Sequence, residues 1–191
     1  MWNDKKIEEY LENNLKIRRF QHSLGVRDTA ATLAQIYGED VEKAKIAGIV
    51  HDCAKNMQDE ELIKICLEHG MDISDVYKES PQLLHGAVGA IIANELMEIY
   101  DKDILNAISY HTTGREEMSL LEKIIYISDY IEPMRNFPGV EAIRDMAFKD
   151  LDIALLKAFD NTIKFVINNE ELLHPHTILG RNYIIRHLKK V

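Results

Sequence analysis

Apolar residues recur at spacings of three and four along almost the whole chain of 191 residues. This spacing places them on one face of an α-helix, whereas the alternating pattern typical of β-strands is scarce. The pattern therefore predicts an all-α fold, with breaks at glycine and proline positions. The predicted helices span residues 4–13, 16–37, 40–54, 58–69, 81–98, 102–111, 119–131, 140–148, 151–168 and 177–189.

The composition favours a single domain covering residues 1–191. Apolar residues make up 46% of the chain, which is enough for a substantial core, and no repeat or long linker divides it. The N-terminus is charged from its third residue, and the apolar run at 87–93 is far shorter than the about 20 residues of a membrane span. Cys53 and Cys66 lack metal-ligand spacing and suggest reduced thiols. We therefore expect a cytoplasmic protein.

The net charge of −9 limits the kinds of molecule that the protein could bind by charge alone. It argues against broad electrostatic binding to nucleic acid or to an anionic membrane. An anionic ligand must instead be bound locally, and a metal ion together with a few basic residues could bind it. The apolar helical content would suit a homodimer, but no residue identifies a pairing face.

Polar residues with metal-binding atoms lie on the apolar faces of several predicted helices. His22, for example, is followed at +4 and +8 by Val26 and Ala30, and Asp129 is preceded at −4 by Ile125. By the same reasoning, six side chains point inward: His22, His51, Asp52, His85, His111 and Asp129.

The six inward residues need a common partner. A single inward histidine is more commonly a neutral, hydrogen-bonded core residue than a ligand. An unpaired buried carboxylate, however, costs several kcal/mol, while a whole domain is stable by only about 5–15 kcal/mol. A metal ion would neutralise the carboxylates and accept the imidazole nitrogens. A set of nitrogen and oxygen ligands fits Fe or Mn, with Zn or Co as alternatives, better than a thiolate site does.

The segment GIVHDCAK places His51 and Asp52 side by side and Lys55 shortly after them. Adjacent side chains in an ideal helix point about 100° apart, so either one ion lies between the two residues or two ions share Asp52. Six ligands exceed what one catalytic ion with an open position needs, which favours two ions about 3.5–4 Å apart. Lys55 lies on the same helix face and could reach a phosphate; the alternative is a solvated residue at a helix end.

The order of His22, His51-Asp52 and Asp129 resembles the H…HD…D signature of the HD-domain metal-dependent phosphohydrolases, an all-α superfamily. Longer segments resemble its YqeK-type bacterial branch, which hydrolyses diadenosine tetraphosphate symmetrically to two ADP. These segments are RRFQHSLGV, GIVHDCAK, LLHGAVGA, AISYHTTGR and YISDYIEPMRNFPGV. The resemblance runs from about residue 5 to about residue 185. Cys53 replaces the aliphatic residue expected in the second segment, a change that affects packing more than chemistry.

The resemblance implies an HD-domain helical bundle with a two-metal site. One ion would be bound by His22, His51, Asp52 and Asp129, and the second by His85 and His111 with Asp52 bridging. The ions implied are iron, divalent or mixed-valence, with Mn, Co or Zn as alternatives. A metal-activated hydroxide would be the nucleophile, and the catalytic residues would include Asp52 and Lys55.

Basic and hydroxyl groups near the predicted ligands are candidates for binding the substrate, because phosphoryl transfer depends on positioning and charge. For the phosphate chain they are Arg18, Arg19, Lys55, Thr112, Thr113, Gly114 and Arg135. Tyr130, Ile131 and Pro133 would form a wall of the nucleoside pocket. The alternatives are a surface position for both arginines, a simple helix end at Thr113-Gly114, and a rigid loop after Tyr130.

Two further functions are open at this point. The same metal site could hydrolyse another nucleotide, such as a nucleoside di- or triphosphate, an alarmone or a cyclic nucleotide. The chain could instead be a metal-dependent nucleotide-binding module without turnover. The presence of all six candidate ligands together with Lys55 favours an enzyme, because a binding module would need fewer of them.

Overall fold

The computed structural model describes residues 1–189, so the last two residues of the predicted domain lie outside the described part. Eleven α-helices and one 3-10 helix occur in this range. They are α1 (Asp4–Asn14), α2 (Ile17–Tyr37), α3 (Val41–Val50), α4 (Asp59–Glu68), α5 (Asp75–Glu79), the 3-10 helix (Pro81–Leu84), α6 (His85–Glu95), α7 (Lys102–Tyr110), α8 (Leu120–Ile131), α9 (Val140–Ala147), α10 (Leu151–Asn168) and α11 (Pro175–Leu188).

The all-α prediction is confirmed, since residues 1–189 contain no strand. Several helices begin where a short polar side chain accepts hydrogen bonds from the first free amides of the helix. Asp40, Asp101, Ser119 and Asp150 do so at the starts of α3, α7, α8 and α10. These caps explain why the predicted starts of those helices lie within a residue or two of the observed ones.

Three predicted helices were wrong in their limits. The helix predicted for 40–54 ends at Val50, because the chain then forms successive tight turns, with Cys53 N donating to Val50 O and Lys55 N to Asp52 O. The helix predicted for 81–98 divides into the 3-10 helix and α6, and it ends at Glu95. The helix predicted for 177–189 begins earlier, since Pro175 is well suited to a first helical position. The short helix α5 was not predicted.

The main hydrophobic core lies between α2, α3, α7, α8 and α10. Helices α2 and α3 cross closely at Gly48, where a Cβ atom would lie 2.9 Å from the Cα of Arg27. Only a residue without a side chain allows this approach. The crossing brings the middle of α2 next to the turns that follow α3, and it therefore brings His22 near His51.

The helices after α8 pack around the core on one side. Helix α10 contacts α8, α9 and α11. Helix α11 is also fixed by a hydrogen bond from the hydroxyl of Thr177 to the carbonyl of Thr113, 2.9 Å long. This bond ties the last helix to the turn that ends α7.

Within residues 1–189, no helix is both long and apolar enough to cross a bilayer.

Candidate metal centre

The structure brings all six predicted ligands together at the centre of the helical bundle. They come from five places in the chain: the middle of α2, the turns after α3, the start of α6, the end of α7 and the last part of α8. The four histidines and Asp52 are at most 5% exposed, and the side chain of Asp129 is one-fifth exposed. His22, His51, Asp52, His85, His111 and Asp129 thus form one buried cluster.

Asp52 lies between two groups of histidines. Its Oδ2 atom is 3.3 Å from Nε2 of His51 and 3.7 Å from Nε2 of His22. Its Oδ1 atom is 3.0 Å from Nε2 of His85 and 3.5 Å from Nε2 of His111. The early end of α3 lets His51 and Asp52 converge, although neighbours in a continued helix would diverge. Each carboxylate oxygen therefore faces one pair of imidazoles.

Asp129 completes the first group. Its Oδ1 atom lies 2.9 Å from Nε2 of His22 and 3.8 Å from Nε2 of His51. In the second group, the Nε2 atoms of His85 and His111 are only 3.0 Å apart. The two groups share Asp52 and form one continuous arrangement of nitrogen and oxygen atoms.

The protein fixes the orientation of all four imidazole rings through their Nδ1 atoms. His51 and His111 donate from Nδ1 to the carbonyls of Gly48 and Ile108, both at 2.7 Å, and His85 donates to the carbonyl of Gln82. A carbonyl oxygen only accepts hydrogen bonds, so each Nδ1 carries the proton. In the neutral ring, Nε2 then presents a lone pair to the centre.

This arrangement fits a metal ion. The Nε2 atoms of His22 and His51 are buried and make no hydrogen bond within residues 1–189; the nearby Oδ1 atom of Asp129 is an acceptor, as is Nε2 of a ring that carries its proton on Nδ1. Two sets of three ligand atoms lie within 4.8 Å of one another and could hold an ion: His22, His51 and Asp129, and His51, Asp52 and His111. Buried polar atoms without partners are costly, and metal coordination would satisfy them.

The charges of the cluster have identifiable causes. Burial raises the pKa of Asp52, but the imidazoles of His51, His111 and His85 that surround its carboxylate outweigh burial and hold that pKa well below its usual range. Burial also raises the pKa of Asp129, and Arg135 reverses the effect in the same way. Burial lowers the pKa of His85 to about 4. Both aspartates are therefore carboxylates, and His85 is neutral at neutral pH.

Cys53 does not contribute to the cluster. Its thiol is buried, with Sγ donating to the carbonyl of Gly89, and burial raises its pKa to about 12. A thiol with such a high pKa does not supply the thiolate that a metal would bind. The nitrogen and oxygen character expected from the sequence therefore holds in the structure.

Glu132 is a site residue that the sequence analysis missed. Its carboxylate is buried, and Oε1 accepts a hydrogen bond from Nδ1 of His22 at 3.0 Å. The other oxygen, Oε2, accepts from the backbone amide of Met134. Gly25 leaves the space for this carboxylate, since a Cβ there would lie 2.7 Å from Oε2. A carboxylate at Nδ1 both orients the ring of His22 and makes its Nε2 atom a stronger ligand.

The substitution Glu132→Gln should weaken metal binding while the protein stays folded. The amide would retain one acceptor for His22, but it would lose the negative charge and place an NH2 group against the amide of Met134. Loss of such a supporting carboxylate typically lowers metal affinity about 10- to 100-fold. Titration of the metal-free protein with Fe(II) under anaerobic conditions measures the effect. Glu12→Gln, at an exposed position of α1, is the control, and equal affinities in both variants would contradict the role of Glu132.

A cleft lined by basic side chains opens beside the cluster. This cationic cleft has a volume of about 590 Å³, and its walls include Lys16, Arg18, Arg19, Lys55 and Arg135. The Nζ atom of Lys55 lies 3.4 and 3.5 Å from the two ring nitrogens of His85. Nη1 of Arg19 is 2.7 Å from Oδ2 of Asp52, and Arg135 pairs with Asp129. Positive charge is thus concentrated beside the cluster in a chain of negative net charge.

Of the three predicted substrate residues that follow His111, the structure places only the first beside the cluster. The hydroxyl of Thr112 lies 3.0 Å from Nε2 of His111, so Thr112 belongs to the cluster's surroundings. Thr113 is buried, and its carbonyl and hydroxyl are both hydrogen-bonded. The amide of Gly114 donates to the carbonyl of Tyr110, and Gly114 packs against Phe159. Thr112 therefore lies beside the cluster, whereas the hydrogen-bonding groups of Thr113 and Gly114 are bonded to other parts of the protein.

Of the three predicted pocket residues after Asp129, one lines a cavity beside the cluster and two do not. Tyr130 lines a cavity next to His111 and Asp129, whereas Ile131 is buried in the core and Pro133 is exposed. Arg144 fixes this segment: its guanidinium donates to the carbonyls of Ile131, Glu132 and Arg135 at 2.7, 2.8 and 2.7 Å. Helix α9 thereby sets the position of both Glu132 and Arg135.

Comparisons with known proteins agree with this geometry. The family model described as HD domain matches residues 19–134. The chain is 40% identical over 180 residues to a symmetrical bis(5'-nucleosyl)-tetraphosphatase of Halalkalibacterium halodurans, over 94% of this chain and 96% of that protein. A protein of the same name from Bacillus subtilis is 41% identical over 175 residues, which cover 92% of this chain and 94% of that protein.

The fold also matches a solved structure. A protein from Clostridium acetobutylicum, described as a predicted HD superfamily hydrolase involved in NAD metabolism, shares 56% identity with this chain. The two superpose with a TM-score of 0.96, over 98% of this chain and 99% of the other. All six predicted ligands fall within the range that the family model matches.

Proposed function

We propose, from the premise that this chain belongs to the HD-domain family, that it hydrolyses dinucleoside polyphosphates and cleaves diadenosine tetraphosphate symmetrically to two ADP. The observation that carries the proposal is the buried cluster of six ligands beside a cleft with five basic residues. The names of the relatives from H. halodurans and B. subtilis support the substrate and the symmetry of cleavage. The match to these relatives covers more than nine-tenths of the chain.

The cofactor we propose is iron, with two ions. Two groups of candidate ligands on either side of Asp52 support two ions. In the first group, His51 lies near Oδ2 of Asp52 and His22 lies near Asp129. In the second group, His85 and His111 lie near Oδ1 of Asp52. When bound, such ions polarise phosphoryl oxygens and lower the pKa of water from 15.7 to about 7. Mn, Co and Zn are the alternatives that the same ligands allow.

The basic residues of the cleft bind and position the phosphate chain in this proposal. Lys55, which is half-buried, places its ammonium beside the ring of His85 and next to the cluster. Arg19 and Arg135 contact the ligand carboxylates and also line the cleft, so their charge is adjacent to the phosphoryl group that reacts. Arg18 and Lys16 lie further out and bind the more distant phosphates. Preorganised charge of this kind contributes most of the stabilisation in phosphoryl transfer.

We also propose that the chain works as one domain in the cytoplasm, without nucleic acid or membrane as a partner. The net charge of −9 supports this, since it disfavours broad electrostatic binding to polyanions. The second candidate function is hydrolysis of another nucleotide at the same site. It is favoured by the description of the C. acetobutylicum relative, which refers to NAD metabolism. A homodimer stays a prediction.

Product analysis tests the proposed function. Protein purified anaerobically and loaded with iron is incubated with diadenosine tetraphosphate, and the products are separated by ion-exchange chromatography. We expect ADP as the sole product, with no activity after treatment with a chelator and recovery on adding Fe(II). Parallel reactions with NAD, ATP and a guanosine alarmone test the second candidate. AMP plus ATP as products would contradict symmetric cleavage, and turnover of NAD alone would favour the second candidate.

A further inference from the structure

Two more cavities adjoin the metal cluster on the side of α10. The inner cavity, of about 220 Å³, is bounded by His111, Asp129, Tyr130 and Thr162. The outer cavity, of about 290 Å³, lies next to it, and the two share Thr112 and Thr162 in their walls. The inner cavity in turn shares Arg135 and Phe137 with the cationic cleft. The three spaces therefore form a series, with the ligand cluster between the cationic cleft and the outer cavity.

The outer cavity differs from the cationic cleft in its chemistry. Its walls include Leu83, Val166, Leu172 and Leu173, and its one charged wall residue is the acidic Glu171, which is exposed at the edge. Among residues 1–189, no lysine or arginine lines it. Such a space disfavours phosphate groups and favours an uncharged, flat, apolar ligand.

An aromatic ring with polar neighbours completes this cavity. The imidazole of His174 is buried in its wall and packs on Tyr77, with 5.1 Å between ring centroids. Burial lowers the pKa of His174 to about 4, so this ring is uncharged at neutral pH. Gln82, Thr112 and Thr162 add polar side chains at other points of the wall; the amide nitrogen of Gln82 donates to Asp59, which leaves its amide oxygen as an acceptor. A neutral aromatic surface with a few amide and hydroxyl groups is suited to binding a nucleobase.

We propose that the outer cavity binds one nucleoside of the dinucleotide substrate, with the attached phosphates passing through the inner cavity to the metal cluster. This inference rests on the proposed function. It makes the site asymmetric although the substrate is symmetric. One half of the substrate is held by charge in the cationic cleft, and the nucleoside of the other half is held by apolar and aromatic contacts.

The position of the cluster supports this division. A substrate cleaved at its centre needs space for a nucleotide on each side of the reacting phosphates. His22 and Lys55 border the cationic cleft, and His111 and Asp129 border the inner cavity, so the cluster faces both spaces. A single cleft on one side would accommodate only one half.

Filling the outer cavity provides the first test. Val166 is half-buried in α10 and lines only the outer of the three spaces. In Val166→Phe, KM for diadenosine tetraphosphate should rise about tenfold or more, because the base loses its contacts. The inhibition constant of inorganic tetraphosphate, which competes for the phosphate positions and has no nucleoside, should not change. Ile167→Phe is the matched control, since the neighbouring side chain is 61% exposed. An equal rise in both constants, or no rise in either, would overturn the proposal.

Photolabelling of the wild-type protein gives a second test that requires no variant to fold and no turnover. Iron-loaded protein is irradiated with 8-azidoadenosine, and labelled peptides are located by mass spectrometry. We expect label in residues 162–174, and label confined to residues 130–137 would overturn the outer cavity as the nucleoside site. If label appears in 162–174 but diadenosine tetraphosphate is not hydrolysed, the cavity assignment stands and the proposed function fails.

Discussion

Asp52→Asn should remove bound metal and activity together. The two carboxylate oxygens of Asp52 face different pairs of imidazoles, so this residue is the one that both halves of the cluster share. Asparagine has nearly the same shape, but it carries no charge and turns one acceptor into a donor. We expect iron content to fall close to zero and ADP formation to fall by at least about 10³-fold. Elemental analysis of anaerobically purified protein and the product assay measure the two effects.

The control for this variant is Asp72→Asn, which makes the same chemical change at an exposed position. Circular dichroism should show the same helical content for both proteins, because Asp52 lies in turns rather than within a helix. Full activity of Asp52→Asn after removal of metal would end the two-metal proposal. Loss of activity with normal metal content would mean that Asp52 acts on the substrate rather than on the ions.

Lys55→Met should separate metal binding from turnover. Methionine preserves much of the apolar stem that packs in the half-buried position but removes the ammonium beside His85. Because Lys55 donates no ligand atom to the cluster, iron content should match that of the wild-type protein. Loss of one preorganised charge at a reacting phosphate typically lowers kcat by about 10²- to 10³-fold. Iron analysis and steady-state kinetics on the same preparation test both statements.

Lys64→Met is the matched control, since the side chain of Lys64 is 72% exposed on α4. It should have wild-type kcat and KM. If Lys55→Met instead loses iron in proportion to activity, Lys55 supports the position of His85, and the assignment of a phosphate contact is wrong. A rise in KM with normal kcat would place the contact in substrate binding alone.

Periodicity in the sequence was sufficient for most of the fold, because the core-facing residues of long helices are regularly spaced. Periodicity did not predict the places where the local backbone depends on contacts with distant parts of the chain, or where an element is very short. After Val50 the residues still fit a helix, yet the turns there direct His51 and Asp52 to one point. Helix α5 has only five residues, Asp75–Glu79, which is too short for a periodic signal.

The cluster of candidate ligands was predictable because each of its members is a polar residue on an apolar stripe. Glu132 was not, since it follows the end of α8 and precedes Pro133, a position that usually faces solvent. It is buried because Gly25 on α2 leaves room opposite it. A signal existed in the spacing: Gly25 follows His22 by three residues, and Glu132 follows Asp129 by three. The two spacings become related only because α2 packs against α8 in the fold.

Thr113 and Gly114 show the opposite case, in which residues that follow a candidate ligand in sequence use their hydrogen-bonding groups within the protein. Their hydrogen-bonding groups are engaged with Thr177 and Tyr110, because the end of α7 has to join α11 to the core. Sequence proximity to His111 did not distinguish this structural role from phosphate binding. The deciding information lies in α11, more than sixty residues later.

The wall of the outer cavity comes largely from residues beyond 134, where the match to the HD domain family model ends. Every residue of the ligand cluster lies before that limit. Under the proposed nucleoside site, the residues from Thr162 to Thr177 that line this cavity are thus separate in sequence from the candidate metal ligands, whereas Leu83, Thr112 and Thr113 lie among them. Substitutions in α10 and in the loop before α11 would then change contacts with the nucleoside and leave every candidate metal ligand in place.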